Sequence, residues 1–215
     1  MQKNQETKLK SKPFELITDT SKENVLNYTK FKFLTRVLNS LSLTFVIGER
    51  FFCDAVRLHQ SCVDDETYFE IKEFIKQEAQ HSLAHRSLNR ILKTTYKVDT
   101  EKLERSAHSR LQNLGFTPDK RLLTTVCLED LTAFGGFLYI KGGKFFFKRE
   151  LQSSKLWEEH AKEEVQHHFL AKTVYEQNYK PNKIKYFLHF IKTSYTLFLQ
   201  LVENYQELKR AEKEI

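Results

Sequence analysis

Glu78-Ala79-Gln80-His81 and Glu164-Val165-Gln166-His167 repeat one spacing, Glu-x-x-His, at two places in the chain. Residues three apart on an α-helix lie about 60° apart around its axis, so this carboxylate and imidazole reach one point together. Each pair therefore offers a metal ion one oxygen and one nitrogen. Working outward, each pair is preceded by a glutamate in apolar sequence. Glu49 sits in Phe45-Val46-Ile47-Gly48-Glu49-Arg50-Phe51-Phe52, and Glu129 in Thr125-Val126-Cys127-Leu128-Glu129-Asp130-Leu131. A charged carboxylate is costly to bury unless it is paired or coordinates a metal. Both intervals between glutamate and pair fit one helix, a turn and the return helix.

A single Glu-x-x-His carries little information in a chain rich in both residues. The ordered set of Glu, Glu-x-x-His, Glu, Glu-x-x-His, one element per helix, carries much more. It is the ligand set of ferritin-like di-iron and di-manganese bundles. The expected ligands of a two-metal centre are Glu49, Glu78, His81, Glu129, Glu164 and His167. Carboxylates with imidazole suit iron, manganese or a mixed pair better than zinc. The competing reading is a set of partly buried salt bridges and surface helix pairs.

Two further histidines flank the pairs. His85 lies one turn after His81, and His160 one turn before Glu164. If the two helices run antiparallel, both imidazoles converge at one end of the metal pair. There they would serve as extra ligands or as a proton relay. Glu163 is the weaker alternative to Glu164, and His168 points off the ligand stripe. Cys53 reads as a small core residue, Arg50 and Arg57 as carboxylate partners or surface groups. Glu73 and Gln77 read as helix-surface residues.

The hydrophobic periodicity predicts an all-α fold, a ferritin-like four-helix bundle with core helices over about 40–61, 65–93, 120–140 and 153–177. A further helix is expected over about 23–39 and a last one over about 182–213, after Pro181. The long connection 94–119 carries its own helical pattern and is long enough to cross the bundle between core helices two and three. Residues 1–22 read as a flexible basic arm, and 23–215 as one domain with the metal core at about 40–177.

Three cysteines without paired spacing argue against a disulfide framework and for a reducing compartment. The polar N-terminus shows no signal peptide, and the most apolar run, 186–202, is broken by His189 and Lys192. A cytoplasmic location is the expectation, with the membrane periphery as the alternative. The net charge of +7 fits a basic surface that could also meet anionic lipid or tRNA. The apolar start of the last helix would pack on the bundle or form a homodimer interface.

Several stretches resemble the family of predicted metal-dependent hydrolases. They are Gly48-Glu49-Arg50-Phe51-Phe52 with Val56-Arg57, Phe74-Ile75-Lys76-Gln77-Glu78-Ala79-Gln80-His81 with His85, and Leu128-Glu129-Asp130-Leu131-Thr132-Ala133. The stretch from Trp157 through His160 and Glu163-Glu164 to His167 completes the set. The resemblance runs from about Leu41 to Tyr175. The family pattern has Trp and His adjacent where this chain separates Trp157 and His160 by two residues, and Glu-His where it has Gln166-His167. The resemblance implies a metal-dependent hydrolase. The residues themselves look more like those of di-iron oxidases and oxygenases. The preferred function is thus O₂-dependent oxidation of a small organic substrate, apolar or aromatic given the Phe-rich interior, with an electron donor if the enzyme is an oxygenase. Hydrolysis by two metals is the alternative, and a non-catalytic metal-binding bundle is the third reading.

Overall fold

A computed structural model describes residues 14–214 of the chain. Its helices are α1 (Lys22–Leu26), α2 (Lys32–Arg57), α3 (Asp65–Thr94), α4 (Thr100–Leu114), α5 (Pro118–Lys141), α6 (Gln152–Asn178) and α7 (Lys183–Ala211). No β-strand occurs among the described residues, where Thr29 and Phe147 form an isolated bridge. The architecture is the expected all-α bundle.

Short loops pair α2 with α3 and α5 with α6 as antiparallel hairpins. Asp64 starts α3 by accepting a hydrogen bond from the Thr67 amide at 2.8 Å. Pro118 begins α5, where its missing N–H costs nothing. Between the hairpins the chain crosses the bundle through α4. The crossing makes α3 and α6 antiparallel, as the contacts Thr67–Gln177 and Gln77–His167 show. Gly136 permits the tight approach of α5 to α6, since a Cβ there would stand 2.6 Å from the Ala161 carbonyl oxygen.

The first helix differs from expectation. The predicted helix break near residues 39 and 40 is absent, and α2 runs straight through it. Asn39, Ser40 and Ser42 are polar, yet all three are buried and paired within or against the continuous helix. Asn39 donates to the Val25 carbonyl, Ser40 to the Arg36 carbonyl and Ser42 to Asn89 Oδ1. The real break lies just before α2. There Thr29 Oγ1 donates to the Phe31 carbonyl and the Lys30 amide bonds the Phe146 carbonyl.

The expected arm also needs correction. Residues 1–13 lie outside the described residues, but the segment from Phe14 onward docks on the bundle. The Ile17 amide bonds Ser87 Oγ at 2.8 Å, Ile17 is buried, and the Phe14 ring meets the His81 ring edge-on at 4.8 Å.

Three apolar clusters fill the bundle, the smallest around Tyr28, Tyr139, Phe147 and Trp157, and two larger ones lie along the core helices. One gathers Phe51, Ile71, Phe74, Leu122, Leu123 and Val174, the other Leu43, Leu88, Leu92, Leu103, Leu156 and Leu208. The buried acids and histidines form a polar layer between them. Helix α7 lies across α2, α4 and α5. It is held by the Asn204 amide on Ser40 O and Thr44 Oγ1, and by two hydrogen bonds of 2.8 Å from Arg36 to Glu212. Its outer face leaves Phe187, Leu188, Ile191, Tyr195 and Phe198 exposed. Among the described residues the helix long and apolar enough to cross a membrane is α5, rather than the start of α7, and 56% of that stretch is buried in the bundle.

Candidate metal centre

The polar layer brings together side chains from all four core helices. Glu49 comes from α2, Glu78 and His81 from α3, Glu129 from α5, and Glu164 and His167 from α6; every one is buried. His167 Nδ1 lies 2.6 Å from Glu78 Oε1, and His81 Nδ1 lies 3.8 Å from Glu78 Oε1 and 3.5 Å from Glu164 Oε1. Donor atoms of Glu78, His81, Glu164 and His167 all fall within 4.8 Å of one another, as do those of Glu49, His81 and His160. Glu129 stands outside both groupings.

Most of these atoms have no hydrogen-bond partner. Both oxygens of Glu49, Glu78 and Glu129, Glu164 Oε2, and Nδ1 of His81 and His167 are buried and unsatisfied among the described residues. The 2.6 Å approach of His167 to Glu78 does not meet hydrogen-bond geometry. Four carboxyl groups buried together with this many unsatisfied oxygens are costly unless something cationic pairs with them. Cations placed among them would satisfy the oxygens and the imidazole lone pairs, so the residues fit a bound metal pair.

The electrostatics point the same way. Burial, then Glu78 and Glu164, push the Glu49 carboxyl well above its ordinary range, and burial, Glu164 and Glu78 do the same to Glu129. For His167, burial is outweighed by Glu78 and Glu164, which raise it.

The far nitrogens of the two motif histidines are clamped reciprocally. His167 Nε2 bonds Gln77 Oε1 at 2.8 Å, and His81 Nε2 bonds Glu163 Oε2 at 2.9 Å. Gln77 immediately precedes Glu78, and Glu163 immediately precedes Glu164. The residue before each motif thus holds the histidine of the other, leaving both Nδ1 atoms toward the centre. Gln77 is not a surface residue as expected, because it is buried against the partner helix. Glu163 is a clamp rather than a rival to Glu164. The signal available in the sequence was this shared position in two antiparallel copies of one motif.

His85 and His160 meet at 2.9 Å, Nε2 to Nδ1. His85 Nδ1 in turn contacts Ser42 Oγ at 2.9 Å, Ser42 Oγ donates to Asn89 Oδ1, and Asn89 Nδ2 donates to the Ser42 carbonyl. This chain assigns the protons. Asn89 uses its amide hydrogen on a carbonyl, so its oxygen faces Ser42 and takes the hydroxyl proton. Ser42 Oγ can then only accept, so His85 carries its proton on Nδ1 and accepts at Nε2. His160 must donate from Nδ1, which leaves the lone pair of Nε2 facing Glu164 Oε1 at 3.2 Å. Burial lowers the pKa of both imidazoles, consistent with neutral rings. His85 therefore has both nitrogens engaged away from the donor groups, while His160 presents a free lone pair. Ser42 and Asn89 were not singled out from the sequence, where nothing marks a lone Ser or Asn as part of a site.

The remaining candidates lie apart. Cys53 Sγ faces the Ile75 carbonyl at 4.0 Å. Arg50 is exposed, Arg57 pairs with Asp54, and His168 bonds the Val165 carbonyl. Neither a curated protein nor a solved structure matches the chain. A family model described as predicted metal-dependent hydrolase matches residues 17–215, beyond the resemblance seen over the core and including α7. The chain therefore belongs to the predicted metal-dependent hydrolase family.

Proposed function

We propose that this protein is a hydrolase whose two divalent metal ions are held by Glu49, Glu78, His81, Glu129, Glu164 and His167, with His160 as an added imidazole ligand through Nε2. The observation that carries the reading is the layer of unsatisfied carboxylate oxygens and imidazole nitrogens in a chain of this family. When bound, the metal pair would lower the pKa of water and polarise the bond to be cleaved. The net reaction adds water across an ester, amide or phosphoester bond, with a proton passing to the leaving group.

The chain's own residues set the conditions. Gln77 and Glu163 orient His167 and His81. Asn89, Ser42 and His85 fix the tautomer of His160. That wire ends on an amide oxygen, a poor proton acceptor, so it orients His160 rather than carrying protons away. The apolar clusters bury the donor side chains on both sides of the layer.

Oxidation by O₂ is the reading favoured by the carboxylate-rich donor set, and one experiment separates the two. Metal-free protein is reloaded with Zn²⁺, Mn²⁺ or, anaerobically, Fe²⁺, and assayed against chromogenic esters, amides and phosphoesters. Turnover restored by redox-inert Zn²⁺ without O₂ uptake is the expected result. Activity confined to iron and coupled to O₂ consumption would replace hydrolysis with oxidation. Two metals bound with neither activity would leave a binding bundle.

A further inference from the structure

Beside the metal layer lies a cavity of about 190 Å³. Its wall includes His160 and Glu164 at the centre and reaches Arg110 and Gln200 on α4 and α7. Between these groups it is lined mainly by apolar side chains, among them Leu41, Phe52, Leu128 and Leu131. Protein interiors rarely leave voids much larger than a water molecule. One water needs roughly 10–15 Å³, and an apolar cavity of about 150 Å³ already stays dry and binds benzene. A larger one that touches the metal layer has the size and chemistry of a ligand site.

The polar groups in the wall are mostly spent. Arg110 is engaged by Gln200 and by Glu203 at 2.7 Å, and Thr44 by the Ser40 carbonyl and Asn204. The Tyr139 and Thr193 hydroxyls are the exceptions, buried without a hydrogen-bond partner among the described residues, besides His160 Nε2 and Glu164 Oε2 at the metal end. A sugar, nucleotide or amino acid would lose its hydration here without replacement. The face of His160 is already stacked on Phe45, with ring centroids 4.8 Å apart and planes 7° from parallel. A substrate ring has no place there, whereas a flexible chain can pass.

We propose that this cavity binds the aliphatic chain of a carboxylic ester or amide, with its acyl carbon beside His160 and Glu164. The identity of the reacting group rests on the hydrolytic reading above; the chain site does not. In the reaction, the oxygen of water bonds to the acyl carbon. The bond from that carbon to the alkoxy oxygen or amine nitrogen breaks, and a proton passes to the departing atom.

The test uses full-length, metal-free protein and the fluorescent polyene cis-parinaric acid, displaced by straight-chain alcohols of increasing length. Affinity should rise about fourfold per methylene until the cavity is full, then level off. Gly135 lines the cavity, and a Cβ there meets no atom within 4 Å. Gly135→Leu, with Thr196→Phe as the second variant, should weaken the longest alcohols at least tenfold and move the plateau to shorter chains, with helicity unchanged by circular dichroism. Absence of saturable displacement, or affinity independent of chain length, would overturn the site. In parallel, metal-loaded protein is assayed on nitrophenyl esters and anilides of the same lengths. A matching chain-length preference supports the acyl assignment. Chain binding without ester or amide turnover under any metal overturns that assignment but leaves the chain site standing, and the phosphoester assay above decides the hydrolytic reading separately. Turnover without chain preference or displacement removes the site and leaves hydrolysis.

Discussion

His160 Nδ1 stands 2.9 Å from His85 Nε2, and this contact decides which nitrogen of His160 faces the metal donors. The contact is itself set two residues further back, by Ser42 and Asn89. Ser42→Ala removes the acceptor that keeps the His85 proton on Nδ1. The expected outcome is a 10–100-fold loss of affinity for one of the two metals, the scale typical of outer-shell changes. Competition with a chromophoric chelator measures it, and two unchanged affinities would show that the tautomer does not matter.

Glu78→Ala and Glu164→Ala each remove a carboxylate shared by the clustered donors. Metal content by mass spectrometry should fall sharply in both, with far-ultraviolet circular dichroism close to wild type. Full two-metal occupancy in both variants would end the metal-centre proposal.

Gln77 and Glu163 occupy equivalent positions but differ in charge. Glu163→Gln keeps an amide oxygen for His81, as Gln77 provides for His167, and should bind metal within a few-fold of wild type. Glu163→Leu and Gln77→Leu lose the acceptor and should each lose 10–100-fold. Equal behaviour of the Gln and Leu variants at 163 would mean that charge, not orientation, is what Glu163 supplies.

Gly136→Ala forces a Cβ against the Ala161 carbonyl. Overpacking of this kind costs about 1–3 kcal/mol. Differential scanning calorimetry should show a Tm lower by roughly 2–10 °C for a chain of this size. Gly135→Ala, with open space around it, should leave Tm unchanged or higher.

Arg36 and Glu212 tie the start of α2 to the end of α7. Although burial acts to raise it, the Glu212 carboxyl is held below its ordinary value by hydrogen bonds from Arg36 and Lys32. A depressed folded-state pKa means that the stabilisation is fully present above the unfolded carboxyl's pKa of about 4.3. It fades as pH falls toward the lower folded value. Glu212→Gln should cost about 1–2 kcal/mol at pH 7. The gap from wild type should close in acid. A gap of constant size from pH 7 to pH 3, read by urea denaturation, would assign the effect to packing instead.

The four core helices were legible because their apolar spacing is long and each carries one element of the Glu and His pattern. Asn39 and Ser40 misled, because a polar residue inside a helix reads as a boundary until its buried partner is known. Gln77 was missed for a related reason. Its acceptor role exists only once α3 and α6 are laid antiparallel, and no local pattern encodes a clamp contributed by another helix. The first twenty residues are polar as a whole, which hides the short apolar run at Phe14-Glu15-Leu16-Ile17, whose Phe14 and Ile17 pack on the bundle.

The Glu-x-x-His pairs reside on α3 and α6, whereas α4 and α7 line the adjoining cavity without contributing a donor to either cluster. Helices α2, α5 and α6 thus carry metal donors and wall together, while α4 and α7 add wall alone. Substitutions along α7 should therefore reshape one side of that wall while the metal donors stay untouched.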